Sequence, residues 1–321
     1  MEAIDLATVS VPLPWQSDVW RQFHEQISSE RLPHALLLTG IEYTGKNRLA
    51  MALARLLLCQ QPVAGHNCGS CHACSMSRVG SHGDFRWLEP EGKSRMIKVD
   101  QIREVVDFGQ KTANLGQRKV IVFSPAENMN PNAANALLKS LEEPTPETYM
   151  ILVSHRQSGL PATVRSRCQQ LKLAVPTEEQ SLAWLDLLTA KHERSVELLN
   201  AADGRPLLAE KIYQDASLET FVAIPAALES LHRGGAAVPA VVSLLSQVTT
   251  EEALAHLGTY LQRVIRREGQ GGEMGAQART SYLLLDEVHR LQAAVDSGAN
   301  PNVALLFESL LARFHKELGG C

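Results

Sequence analysis

The chain has 321 residues, with 31 Lys and Arg against 35 Asp and Glu, for a formal net charge of -4. At roughly 100–200 residues per domain this is room for two or three domains, and 45% hydrophobic with 21% charged residues excludes wholesale disorder. The acidic balance argues against a protein that coats a polyanion by itself, and 5% aromatic residues argue against a base-stacking platform. Helix should dominate, because Leu and Ala are plentiful. The segment Met1-Glu2-Ala3-Ile4-Asp5 carries acid where a secretory leader needs base. No apolar run approaches the roughly 18 residues of a membrane span, so a cytoplasmic protein is expected. There is no internal repeat or low-complexity tract.

In chain order, residues 34–39, 120–124 and 149–154 are short continuous apolar runs, as expected of strands buried on both faces of a parallel sheet. Leu49, Leu53, Leu56 and Leu57 follow the first run at helical spacing. Asp100 is placed to cap a helix bearing Ile102, Val105 and Val106, and Asn130-Pro131 supplies a cap and first-turn proline ahead of Ala134, Leu137, Leu138 and Leu141. Pro144 stops that helix. Strands alternating with helices over residues 30–173 predict an α/β domain with a parallel sheet, taken as residues 1–174. Beyond Val175-Pro176 no strand is expected. Thr177 with Gln180 forms a capping box before Leu182, Leu185 and Leu188, and Gly204 followed by Pro206 marks a helix end and a restart. This small helical unit spans 175–214. Residues 215–321 read as an all-α domain: a helix at 249–267 with Leu254, Leu257, Leu261, Val264 and Ile265 on one stripe, a loose connector Gly269–Gly275, and helices at 280–297 and 301–318.

Three motifs could carry chemistry. Gly40-Ile41-Glu42-Tyr43-Thr44-Gly45-Lys46-Asn47 joins a strand to a helix, the context of a phosphate-binding loop in which backbone N–H groups and Lys46 hold phosphate oxygens. Asn47 stands where Ser or Thr would ligate Mg²⁺, and the strand at 120–123 runs into Ser124-Pro125 where an acidic pair should hold the metal; Glu127 is two residues too late and is expected on a loop. Both metal-handling positions are degraded together, which argues for a phosphate-loop fold that has lost hydrolysis. Cys59, Cys68, Cys71 and Cys74 place four thiols within sixteen residues, a set suited to structural tetrahedral zinc. An iron–sulfur cluster would want a further Cys-Pro at Arg78-Val79, and free buried thiols are the plain alternative. His66 and His72 interleave with these cysteines. Arg167, in Ser166-Arg167-Cys168, is either a surface ion-pair partner or an arginine presented to a phosphoryl group on a neighbouring subunit.

Taken together, Leu32–Gly40, the four cysteines, Ala133–Pro144, Ser166–Cys168 and Asn300-Pro301-Asn302 resemble the clamp-loader subunits of bacterial DNA polymerase III, within the AAA+ family, and among these the non-hydrolysing delta prime type. The resemblance implies a RecA-like AAA+ domain carrying a zinc module at 59–74, a helical lid and a helical collar. It further implies a stator role beside gamma/tau ATPase subunits and a delta subunit, in a complex that places a sliding clamp on primed DNA for a DNA-directed DNA polymerase. In that setting Arg167 would act in trans as an arginine finger, and nucleotide binding at Gly40, Gly45 and Lys46 stays open. Arg205 lies near the lid position where relatives carry a nucleotide-sensing arginine, but directly before Pro206, and takes no assignment. Two other readings stand beside this one: an active AAA+ ATPase with a divergent loop, opposed by the missing acidic pair, and a zinc-ribbon nucleic-acid regulator, opposed by charge and helix content.

Overall fold

A computed structural model describes residues 7–92, 94–156, 159–268, 276–296 and 302–318. The chain divides into two compact units, one running through Leu199 with Gly204–Leu208, the other comprising Asn200–Asp203 and the residues from Ala209 onward.

The first unit is built on a parallel five-stranded sheet of β1 (Ala35–Thr39), β2 (Phe85–Leu88), β3 (Lys119–Phe123), β4 (Thr148–Ser154) and β5 (Gln169–Lys172), in the order β2-β3-β4-β1-β5. Leu37 lies level with Leu152 of β4 and Gln170 of β5. The apolar runs have the period of a doubly covered strand. Leu36, Leu38, Val120, Val122, Ile151 and Val153 pack under α1 (Ser17–Ser28) and α2 (Lys46–Leu58). Leu37, Ile121, Phe123 and Leu152 pack on the other face under α4 (Val99–Gln110) and α5 (Pro131–Glu142). This is the parallel α/β domain expected, with β1 an interior strand, fourth of the five, and its loop at the strand's carboxyl end.

The two edge strands escaped the sequence reading for one reason. β2, Phe-Arg-Trp-Leu, and β5, Gln-Gln-Leu-Lys, each bury a single residue fully, Leu88 and Leu171, so neither forms an apolar run. Helix α1 was also unassigned; Trp20 and Phe23 are its buried face. The start of α4 differs as well. Lys98 is the capping residue, its backbone N–H donating to Gln101 Oε1 at 2.9 Å, while Asp100 sits in the first turn and pairs with Arg103. Negative charge suits that turn without capping it. The cap at Asn130 is as expected, its Oδ1 accepting from Ala133 N–H at 2.8 Å, and α5 ends two residues before Pro144.

Between β2 and the cysteine loop lies α3 (His72–Arg78), and the short α6 (Ala162–Arg165) precedes β5. Thr177 and Gln180 close the expected capping box of α7 (Glu178–Thr189) at 3.0 and 3.2 Å. Of its foreseen stripe only Leu185 is fully buried and Leu188 stays 40% exposed, because α7 packs through Trp184, which meets Trp15 edge-on at 5.7 Å. Helices α8 (His192–Ala201) and α9 (Pro206–Gln214) follow, separated at Gly204. Of residues 175–214, those through Leu199 and Gly204–Leu208 belong to the first unit, and Asn200–Asp203 and 209–214 to the second.

In the second unit, α10 (Leu218–His232), α11 (Val238–Leu245), α12 (Thr250–Glu268), α13 (Ala276–Asp296) and α14 (Val303–Leu318) share one core that includes Leu228, Leu245, Leu257, Leu261, Val288, Phe307 and Phe314. The stripe foreseen on α12 lies in this core, Ile265 at its margin. The connector Gly269–Gly275 and Asn300-Pro301 fall outside the described residues. No helix among the described residues is long and apolar enough to cross a membrane.

Candidate metal centre, candidate phosphate loop and Arg167

Helix α2 runs out at Cys59 and α3 begins on Cys71, so two helix ends bring the first and third cysteines together. The intervening loop turns at Gly65 and Gly69, both at positive φ; a Cβ on Gly65 would lie 2.1 Å from His24 Nε2, which contacts the Gly65 carbonyl at 2.7 Å. The four Sγ atoms lie within 4.8 Å of one another, with Cys59–Cys74 at 3.6 Å, Cys59–Cys71 at 3.9 Å and Cys68–Cys74 at 4.0 Å. Ligands about 2.3 Å from a tetrahedral Zn²⁺ would be roughly 3.8 Å apart, whereas a disulfide needs about 2.05 Å. The donor set therefore fits a metal. Backbone N–H groups of Cys68, Cys71 and Cys74 point at Cys59, Cys68 and Cys71 sulfur at 3.2–3.4 Å, the arrangement that stabilises thiolates. N–H donation from Ser70 and Cys71 draws the Cys68 thiol down to about 6, while burial pushes Cys59 up to about 12 and raises Cys74.

The centre is tied to the start of the chain. Asn67 donates to Cys74 Sγ at 3.5 Å and to the Thr8 carbonyl at 3.1 Å, and accepts from Ser10 N–H at 2.8 Å. Buried Arg55 of α2 donates to the carbonyls of Ala7 and Thr8 and to Ser10 Oγ. Neither histidine is a ligand: His66 stacks on Trp20 at 5.5 Å, and His72 is exposed.

The candidate phosphate loop follows β1 and ends at Gly45, which caps α2 at φ 90°. A Cβ there would fall 2.3 Å from Leu13 Cδ1 and 2.8 Å from Gln16 Nε2. Gln16 Nε2 donates to the carbonyls of Thr44 and Gly45, and Trp15 Nε1 also donates to Thr44 O at 3.0 Å, so the preceding segment braces the loop. Lys46 is 2% exposed and its Nζ donates to Ile41 O within its own loop. Burial draws its ammonium down to about 8, against the opposing pull of Glu42 and Glu127.

Asn47 and Ser124 meet. Ser124 Oγ at the end of β3 donates to Asn47 Oδ1 in the first turn of α2 at 2.7 Å. Glu127 lies on a single 3-10 turn, Ala126–Asn128, and its Oε1 accepts from the N–H groups of His155 and Arg156 at the end of β4. It thus ties the ends of two neighbouring strands. Beside it His155 is held neutral, its imidazole drawn down to about 3 by burial and by Lys46 and Arg156.

Arg167 stands two residues after the end of α6. Its Nε donates to Glu142 Oε1 at 2.7 Å, Nη2 pairs with the same oxygen, and Nη1 donates to Thr163 O at 2.9 Å; the side chain is 33% exposed. Cys168 is buried, which pushes its thiol up to about 11 and keeps it inert. Arg205 directly precedes the first residue of α9.

The family model described as DNA polymerase III, delta subunit, matches residues 15–177, a span that holds the loop, all four cysteines and Arg167. A DNA polymerase III subunit delta' from Yersinia pestis is 37% identical over 76% of this chain and 72% of its own length. The chain belongs to the DNA polymerase III subunit delta' family. The relative from Pseudomonas aeruginosa is 45% identical over 62% of this chain and that from Escherichia coli 36% over 63%. Those matches span about three fifths of the relatives' own lengths, 61% and 60%. Among solved structures, a DNA polymerase III gamma subunit-related protein of Thermotoga maritima aligns with TM-score 0.49 and 21% identity over 95% of this chain and 99% of that one.

The sequence singles out the four cysteines that the fold gathers and the residues of the loop after β1, but gives no sign of the groups that hold them. Gln16, Trp15, His155 and Glu142 carry no spacing signal relative to the motifs they contact. The exception is Glu127, visible as an acid near a strand end, whose partners are backbone N–H groups that no sequence pattern announces.

Proposed function

We propose that this chain is a non-hydrolysing stator of the bacterial DNA polymerase III clamp loader, helping to place a sliding clamp on primed DNA. The observation that carries the reading is the 2.7 Å hydrogen bond from Ser124 to Asn47. In a hydrolysing phosphate-loop enzyme those two positions hold Mg²⁺ between a hydroxyl and a carboxylate. Here they satisfy each other, and Lys46, turned onto Ile41 O, is occupied inside its own loop. The chemistry left to the chain is then exercised on a neighbour: Arg167, always charged and partly exposed, acts as an arginine finger on ATP held by an adjacent gamma/tau-type subunit.

Cys59, Cys68, Cys71 and Cys74 would hold one structural Zn²⁺, which supplies a cross-link and no open coordination site. The proposed organisation is a RecA-like domain to about residue 174, a lid at 175–214 and a collar at 215–321 that joins the ATPase subunits and a delta subunit. The proposed location is the cytoplasm, where the polymerase holoenzyme works.

Two measurements test this. The pure chain should turn over ATP no faster than background; sustained turnover abolished by Lys46→Ala would overturn the stator reading. In a reconstituted loader, Arg167→Ala should lower DNA-stimulated ATP turnover. Fingers are worth about 10³–10⁵ in rate at one site, less in a sum over several sites.

A further inference from the structure

We propose that Glu142 is a positioning residue for Arg167: its carboxylate sets the guanidinium in the pose it uses across a subunit interface. The proposal rests on the reading of Arg167 as a finger. A long, flexible side chain on a surface loses much of its effect if it must be ordered at the moment of reaction, and a misplacement of about 1 Å can cost 10²-fold in rate. The guanidinium of Arg167 is ordered in advance, from two directions. Glu142 Oε1 takes the side edge formed by Nε and Nη2, while the Thr163 carbonyl, at 2.9 Å, and Ser166 Oγ, at 3.4 Å, take Nη1. A guanidinium has five N–H donors in a planar fork, and Nη2 can turn only one of its two toward Glu142. The other lies at the end of the fork, on a side chain that is 33% exposed, available to an outside oxygen.

The supports are rigid. Glu142 is the last residue of α5, a helix anchored by Leu137 and Leu141 in the sheet's core, and Thr163 belongs to α6, anchored by Val164. A simple ion pair between partly exposed side chains adds little stability, so removing Glu142 should leave the fold intact and expose the positioning effect by itself. The opposite arrangement, in which Glu142 latches the arginine away from its target, predicts the opposite sign.

The test uses the loader reconstituted from this chain and its neighbouring subunits, with assembly checked by gel filtration and melting temperature checked on each variant. Glu142→Ala should lower the kcat of DNA-stimulated ATP turnover by more than half of the drop that Arg167→Ala causes, with KM for ATP within about twofold, since the carboxylate acts through the pose of the finger. Glu142→Gln keeps an oxygen that accepts from Nε and Nη2 and should restore more than half of the lost rate. Adding Glu142→Ala to Arg167→Ala should cost nothing further. If Arg167→Ala lowers turnover and Glu142→Ala leaves kcat unchanged or raises it, or if the two losses multiply, positioning is overturned while the finger stands. If Arg167→Ala is silent in an assembled loader, the finger reading itself fails, and the positioning role goes with it.

Discussion

The four-cysteine cluster and the loop after β1 are both candidate ligand sites, and they are built in opposite ways. At the cysteines, the side chains converge with sulfur separations of 3.6–4.0 Å among the closer pairs. Backbone N–H groups stand behind them as donors to sulfur. In the loop, the two side chains that would share an ion are joined directly, Ser124 to Asn47, and the lysine that would reach phosphate is bonded to its own loop. The thiols find few hydrogen-bond partners other than backbone N–H groups and one another, whereas the polar side chains at the loop satisfy one another by ordinary hydrogen bonds.

The strongest way to break the comparison is to remove a thiol. Cys74→Ser should lower stability by at least ~3 kcal/mol and abolish stoichiometric zinc, because metal binding free energy is folding free energy when the site forms only on folding. Elemental analysis and melting curves with and without added zinc check this; a metal-free wild-type protein of unchanged stability would remove the contrast. Next in size, Gly45→Ala should cost ~2 kcal/mol, since φ 90° is strained for any residue with a Cβ and that atom would meet Leu13 and Gln16. Denaturant titration would sharpen the case that the loop is braced as a structural element. A change within a few tenths of a kcal/mol would show that the brace yields.

The buried His155 beside Lys46 offers a pH handle. Its folded value is about 3, against an ordinary value of 6.5 when unfolded. As pH falls below about 6.5 the unfolded ring takes up a proton that the folded one refuses, so stability is lost from there down to about pH 3. Between pH 7 and pH 5 this is worth ~2 kcal/mol, and His155→Asn should flatten that part of the profile. An unchanged slope would place His155 in contact with water. The smallest effect is the Ser124–Asn47 bond itself. A double-mutant cycle with Ser124→Ala and Asn47→Ala should give a coupling of ~1 kcal/mol, and a coupling near zero would deny that the two positions have closed on each other.

How much of this was legible beforehand depends on whether a residue's partner is near in sequence or encoded in a period. The three central strands were legible because burial on both faces makes a continuous apolar run, as in Leu36, Leu37 and Leu38. The edge strands were not, because β5 buries only Leu171 among polar neighbours. The cap at Asn130 was legible from the following proline, while the cap at Lys98 was not, since there the main-chain N–H is satisfied by a glutamine three residues on and not by an acidic cap.

By itself the sequence determined the parallel α/β architecture, the helical remainder and the four-thiol set. Each of these is carried by residue type at short spacing, where chain connectivity guarantees proximity. Only the tertiary structure decided that Ser124 answers Asn47 across 77 residues, that Glu127 ties the ends of β3 and β4, and that Glu142 holds Arg167. Those contacts join residues whose meeting depends on which strands become neighbours in the sheet, and strand order is set by the packing of the whole domain and by no local run of the chain.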